Sequence, residues 1–278
     1  MNKKQLSVIG LGGVLFVSLF VFGKKTVLTQ DLTAPVIERS GMDDQAVLTI
    51  AEGRLKAEEL EKLQPIKLAL DTVKQEQQAA ALNRSMAAVW DTKGEYGAAA
   101  VYHLRAAELS PDALAYMLAG SRFQTAAELS NDTLLSSYFH RQAIASMEQA
   151  TALDPNDLDM RADLANAIVT GTAQPMRGIQ QLLDIVKEEP HHLKANVHLA
   201  RLAITSGQHD KAVERFSNII GWYPAFADAY LGLGEAYYNL GELDKAIQTL
   251  ELYKGLVRDE GVIAQVDQYI NSIKSSTP

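Results

Sequence analysis

Residues 193–226 read LKANVHLARLAITSGQHDKAVERFSNIIGWYPAF, and residues 227–258 read ADAYLGLGEAYYNLGELDKAIQTLELYKGLVR. When the two are aligned, Leu199 recurs as Leu233, Gly207 as Gly241 and Ala212 as Ala246, each 34 residues later. A fixed period of this size signals one supersecondary unit written more than once. In the first copy Val197, Leu199, Ala200 and Ala203 recur at helical spacing. Gly207 interrupts that helix, glycine being the residue that turns at least steric cost. Ala212, Phe216, Ile219 and Ile220 then share one face of a second helix. Pro224 ends it, because proline lacks an N–H and its ring clashes with the preceding turn. In the second copy Tyr230, Leu233, Gly234 and Tyr237 line the first helix, and Ala246, Leu250 and Tyr253 the second. Asp210 and Asp244 fall in the first turn of each second helix, where the helix dipole favours negative charge.

The period continues upstream. Pro190 lies 34 residues before Pro224, and Pro155 lies 35 before Pro190. The copy ending at Pro190 carries Leu164-Ala165, Ile168, Gly178 and Leu182, with an extra residue in the turn between Gly171 and Pro175. The copy ending at Pro155 carries Ala143, Met147 and Ala150. Its first helix is expected over residues 113–129, with SNDTLLSSYF, residues 130–139, as an insertion. The earliest copy ends at Pro111, with Ala87, Trp90, Gly94, Ala99 and Ala106 in register.

Tyr230, Leu233-Gly234, Tyr237 and Ala246 resemble, residue for residue, the pattern of the tetratricopeptide repeat (TPR) family. In that pattern small residues let two helices approach closely and aromatics fill the space beside them. Two positions depart from it: Asn196 replaces a large residue, and Arg258 stands where the closing proline belongs. The resemblance implies an all-α fold, a right-handed α-solenoid of helix pairs. The expected repeats are residues 79–112, 113–157, 158–192, 193–226 and 227–258. Beyond them Val262, Val266, Tyr269, Ile270 and Ile273 form one apolar stripe. We therefore expect a capping helix and tail over residues 259–278, covering an apolar face that the last repeat would otherwise expose.

The chain before the repeats reads differently. Residues 6–22 are uncharged and mostly apolar, bracketed by Lys3-Lys4 and Lys24-Lys25. That run is at the short end for a membrane span, and the lysines suit the two interfaces. Residues 1–25 are read as an uncleaved single transmembrane helix. The rival is a signal peptide, which wants small residues at a cleavage site and no charge directly after the apolar run. Lysines balance on both sides, so charge asymmetry is almost silent on orientation. The short basic tail is similar to a bacterial signal anchor, which would place the repeats in the periplasm. Residues 26–42, with Pro35 and Gly41, read as a linker. Residues 43–78 read as N-terminal cap helices or a degenerate repeat. One helix is expected over residues 43–63, stopped by Pro65, and another from Ile66 to about Gln78.

No nucleotide-loop, zincin, nucleophile-elbow or dinucleotide motif occurs. There is no cysteine, hence no disulfide and no thiolate metal site. His191-His192, His198 and His209 lack matched ligands, and Asp154, Asn156, Asp157 and Asp159 lack the glycine and distal glutamate of a calcium loop. Asp157 is read instead as a helix cap. No metal and no cofactor are expected. A net charge of −8 argues against nucleic-acid binding. What remains is a shape. The resemblance implies a concave face, lined by the first helix of each pair, that holds peptide segments of partner proteins. Carried over, its positions are Asn166 and Val169; Lys194, Val197, Arg201 and Ile204; and Leu231, Glu235 and Tyr238. Lys194 and Arg201 suit a carboxylate, yet the full Lys/Asn pattern of the chaperone-tail-binding subfamily is absent. The expected function is a non-catalytic, membrane-anchored adaptor. Two alternatives stand beside it: a periplasmic assembly factor of the cytochrome c maturation or secretion-translocon type, and a self-associating envelope scaffold.

Overall fold

The computed structural model describes residues 42–276. Among these residues there are thirteen α-helices and no strand. Residues 42–181 belong to one compact unit and residues 182–276 to a second. The segment read as a membrane anchor lies outside the described residues. Within them, no helix is long and apolar enough to cross a membrane.

The N-terminal unit opens with α1 (Asp44–Glu52) and α2 (Ala57–Thr72). Pro65 does not stop a helix, contrary to expectation. The break falls at residues 53–56, and Pro65 sits inside α2. Leu63, Ile66 and Leu70 share one face of α2; Leu63 is fully buried and the other two pack on the unit's core. Burial of that stripe offsets the one backbone hydrogen bond that proline removes. The start of α2 is fixed by Glu59, whose carboxylate accepts from the Lys56 N–H at 3.0 Å and from Lys93 Nζ at 2.8 Å.

Four further helices follow: α3 (Glu76–Thr92), α4 (Tyr96–Leu109), α5 (Ala113–Leu129) and α6 (Thr133–Leu153). After them comes α7 (Leu158–Gly171), capped by Asp157, whose Oδ1 accepts from the Met160 N–H at 2.9 Å. Most of the insertion expected at residues 130–139 is helical, residues 133–139 forming the start of α6. Asp132 caps it, with Oδ1 accepting from the N–H groups of Leu134 and Leu135 at 2.8 and 3.0 Å. The turns so added bury Leu135, Tyr138 and Phe139. Phe123 meets Tyr138 edge-on, with ring centres 6.3 Å apart, and Phe139 at 6.2 Å.

The unit boundary falls within α8 (Pro175–Glu188). The C-terminal unit continues with α9 (Leu193–Thr205), α10 (His209–Trp222), α11 (Ala227–Leu240), α12 (Leu243–Leu256) and α13 (Glu260–Ser276). On α13, Val266, Tyr269, Ile270 and Ile273 are buried in one cluster with Leu231, Leu250 and Tyr253. Lys254 of α12 pairs with Asp267 of α13.

Two devices recur in both units. Gly94, Gly207 and Gly241 hold positive φ, at 73, 75 and 79°. After each, the chain closes the same ring: the N–H groups of Glu95, Gln208 and Glu242 donate to the carbonyls of Trp90, Ala203 and Tyr237. That is a left-handed helix stop, which glycine adopts without penalty. The second device is a pair of small buried residues where each first helix crosses its second: Ala87 with Ala99, Gly120 with Ala143, Ala165 with Gly178, Ala200 with Ala212 and Gly234 with Ala246. A Cβ added at Gly178 would stand 2.3 Å from the Ala165 carbonyl oxygen. The backbones touch there, and only small side chains permit it.

Candidate protein-binding site

The position that departs from the family pattern turns out to be chemically equivalent to its successor. Tyr230 Oη donates to the Pro224 carbonyl at 3.0 Å. One period earlier, Asn196 Nδ2 donates to the Pro190 carbonyl at 3.0 Å, and to the His192 carbonyl at 2.9 Å. A different side chain satisfies the same loop carbonyl. It anchors the start of α9 as Tyr230 anchors the start of α11.

These anchors set α9 and α11 side by side as the first helices of successive pairs. The carried-over positions then separate by burial. Val197 and Leu231 are only 8% and 5% exposed. Val197 packs in a cluster with Ala229, Leu233 and Ala236 of α11, and Leu231 in one with Tyr269 and Ile270 of α13. Both are thus corrected from groove residues to core residues, because in each pair this position faces the next helix. Ile204 is half-buried against the Val197 cluster. Lys194 is half-buried in the first turn of α9, and Arg201 has 44% of its side chain exposed. Glu235 and Tyr238 are half-buried on α11. The Tyr238 ring meets the Tyr269 ring edge-on at 5.7 Å. Asn166 and Val169 are half-buried on α7, in the N-terminal unit, where the Asn166 carbonyl accepts from Thr170 Oγ1 at 3.1 Å.

Sequence reading missed two members. Asp228 lies one period after Lys194 and meets Arg201 Nη2 at 3.6 Å. Its register was the available signal. Tyr269 was read only as a stripe residue of the cap. With Asp228 included, a pattern emerges. Lys194 and Arg201 of α9 are cationic, and the residues one period later on α11, Asp228 and Glu235, are anionic. Burial holds the Glu235 carboxyl above the usual carboxylate range, with Arg201 working in the opposite direction. Burial also pushes the Tyr269 phenol up, followed by the fields of Tyr238 and Glu235.

His191 and His192 make structural contacts. His192 is buried and caps α9, accepting from the Ala195 N–H at 3.3 Å, and His191 stacks on Trp222 at 4.4 Å. Among the described residues, no group of three or more His, Asp or Glu side chains is placed to hold a metal.

Residues 203–264 match the tetratricopeptide repeat family model. No curated protein sequence matches the chain. Among solved structures, a tetratricopeptide repeat protein from Parabacteroides merdae is similar with a TM-score of 0.52 at 13% identity, covering 86% of this chain and 94% of that one. TTC0263, a thermophilic TPR protein of Thermus thermophilus, gives 0.51 at 16% identity, with coverage of 70% and 99%. PilW, a type IV pilus biogenesis factor, gives 0.50 at 16% identity, with coverage of 72% and 90%. The match to the repeat family thus lies in residues 203–264, and the likenesses to solved structures are of fold.

Proposed function

We propose that the chain is a non-catalytic adaptor that holds a peptide segment of a partner protein on the face formed by α9 and α11. The repeats build a right-handed solenoid, and residues 1–25 tether it to a membrane, with the repeats on the periplasmic side. The observation that carries this reading is the strip Lys194, Arg201, Asp228, Glu235 and Tyr238. It is a row of charged and aromatic side chains on two adjacent first helices, each of them reachable by solvent. Core packing does not need five such residues in register, whereas recognition of a polypeptide does. Tethering adds to modest affinity by raising the effective concentration at the membrane. An assembly factor would use the same face on a client, and a scaffold would use it on a second copy.

The test is site-specific photo-crosslinking in the native membrane. A benzophenone side chain placed at Ile204 or Tyr238 is expected to yield one or a few discrete adducts. The same group at Glu214 or Gln248, exposed on the second helices α10 and α12, is expected to yield none. Adducts spread equally over all four positions would remove the proposal, and an adduct of the chain with itself would turn it into self-association. Protease added to either side of sealed membranes assigns the compartment. Digestion of the repeats from the cytoplasmic side alone would contradict the periplasmic placement.

A further inference from the structure

The sign inversion between α9 and α11 leaves one group without a mate. Arg201 stands 3.6 Å from Asp228. Glu235, two turns further along the same face of α11, has no hydrogen bond or ion pair among the described residues. Arg201 reaches it only through space. A half-buried carboxylate with no partner is costly, because burial removes its hydration without replacing it. One turn on along α11 stands the half-buried Tyr238 ring, backed at 5.7 Å by the buried ring of Tyr269 on α13. Aromatic faces attract cations, and more strongly where water is displaced.

We propose that Glu235, with the Tyr238 ring, is a socket for a lysine or arginine side chain of the segment held on α11. This rests on the reading that the α9/α11 face binds protein, and it names the chemistry of the occupant. The cationic head meets the carboxylate, and its aliphatic stem lies along the Tyr238 ring, as long basic side chains do on amphipathic surfaces. An acidic side chain is rejected by Glu235 and Asp228 together. A net charge of −8 works in the same direction at long range, drawing basic segments to the chain.

Fluorescence polarisation tests this on the full chain in a non-ionic detergent. The probes are short labelled alanine/serine peptides that differ only in a central Lys, Gln or Glu. The Lys peptide is expected to bind about tenfold tighter than the Gln peptide, and the Glu peptide weaker than both. Glu235→Gln, isosteric and checked for folding by circular dichroism, is expected to bring the Lys and Gln peptides to equal affinity. Arg201→Gln, which removes the internal cation acting on Glu235, is expected to widen the Lys preference. Equal binding of the three peptides by the wild type, no binding of the Lys peptide, or a Lys preference that survives in Glu235→Gln would each overturn the socket. The photo-crosslinks separate the two levels. Discrete adducts at Ile204 and Tyr238 without a lysine preference sink the socket alone, whereas loss of those adducts sinks the binding face itself.

Discussion

In the N-terminal unit Asp91, near the end of α3, forms an ion pair with Arg122 Nε of α5 at 2.7 Å, and its other oxygen lies 3.2 Å from His103 Nε2 of α4. In the C-terminal unit Arg201 and Asp228 also pair across helices, but at 3.6 Å and about half exposed, with Glu235 left over. The N-terminal unit uses its charges to tie its own helices together, and the C-terminal unit keeps part of its charge on a reachable face. The difference extends to the core. The N-terminal unit buries the Phe123, Tyr138 and Phe139 rings between helices of 17 and 21 residues. The C-terminal pairs use helices of 13 and 14 residues closed by smaller clusters. Similar repeat geometry therefore carries two arrangements of charge, because the small crossing pair and the glycine stop fix the backbone while the outward positions remain free to vary.

The largest effect should come from emptying either core. Phe123→Ala and Phe216→Ala each remove a fully buried ring and are expected to cost about 4 kcal/mol in urea unfolding. Hydrogen exchange should show the loss around α5 and α6 for the first, and around α9, α10 and α11 for the second. Uniform loss along the whole chain in both variants would break the description of two units. Next come the crossing points. Gly178→Ala sets its Cβ against backbone, 2.3 Å from the Ala165 oxygen, and is expected to cost about 3 kcal/mol. Gly234→Ala meets the movable end of Leu250 at 2.9 Å and is expected to cost about 1 kcal/mol. The reverse order would show that the two crossings are not built as described.

Asp91→Asn should destabilise by roughly 2 kcal/mol, since the three side chains are partly exposed and screening discounts the figure for a buried pair. The matching change in the C-terminal unit, Asp228→Asn, should cost less than about 0.5 kcal/mol. Equal costs would erase the contrast in how the units use charge. The smallest effect has the opposite sign. Because the Glu235 carboxyl is held above its ordinary value in the folded chain, the folded state binds more protons than the unfolded state between the two values. Glu235 therefore lowers stability as pH rises through that window. Glu235→Gln should be more stable than wild type at neutral pH, by under about 1 kcal/mol, and the advantage should vanish below the ordinary glutamate value. A variant less stable than wild type at neutral pH would mean that the carboxylate has a partner.

Much of the helical plan was legible because it rests on glycine, proline and small residues at fixed spacing. Gly207 and Gly241 announced their stops, and residues 113–129 match α5. Pro65 misled for a physical reason: tertiary burial of Leu63, Ile66 and Leu70 outweighed a local breaker, and no local rule carries that information. Residues 130–139 read as an insertion, but that residues 133–139 run into α6 was not legible, because it rests on contacts with Phe123 outside the segment. Register placed Arg201, Glu235 and Tyr238 on first helices, where they keep some exposure, but it could not tell that Val197 and Leu231 turn into the next helix, since burial there depends on what packs opposite.

The contrast between the units is tested most directly by photo-crosslinking from first-helix positions of both, with Ala88 and Gln124 on α3 and α5 against Ile204 and Tyr238 on α9 and α11. The account predicts a common partner adduct at Ile204 and Tyr238 and none at Ala88 or Gln124. Adducts at Ala88 and Gln124 with none from the C-terminal pair would contradict it.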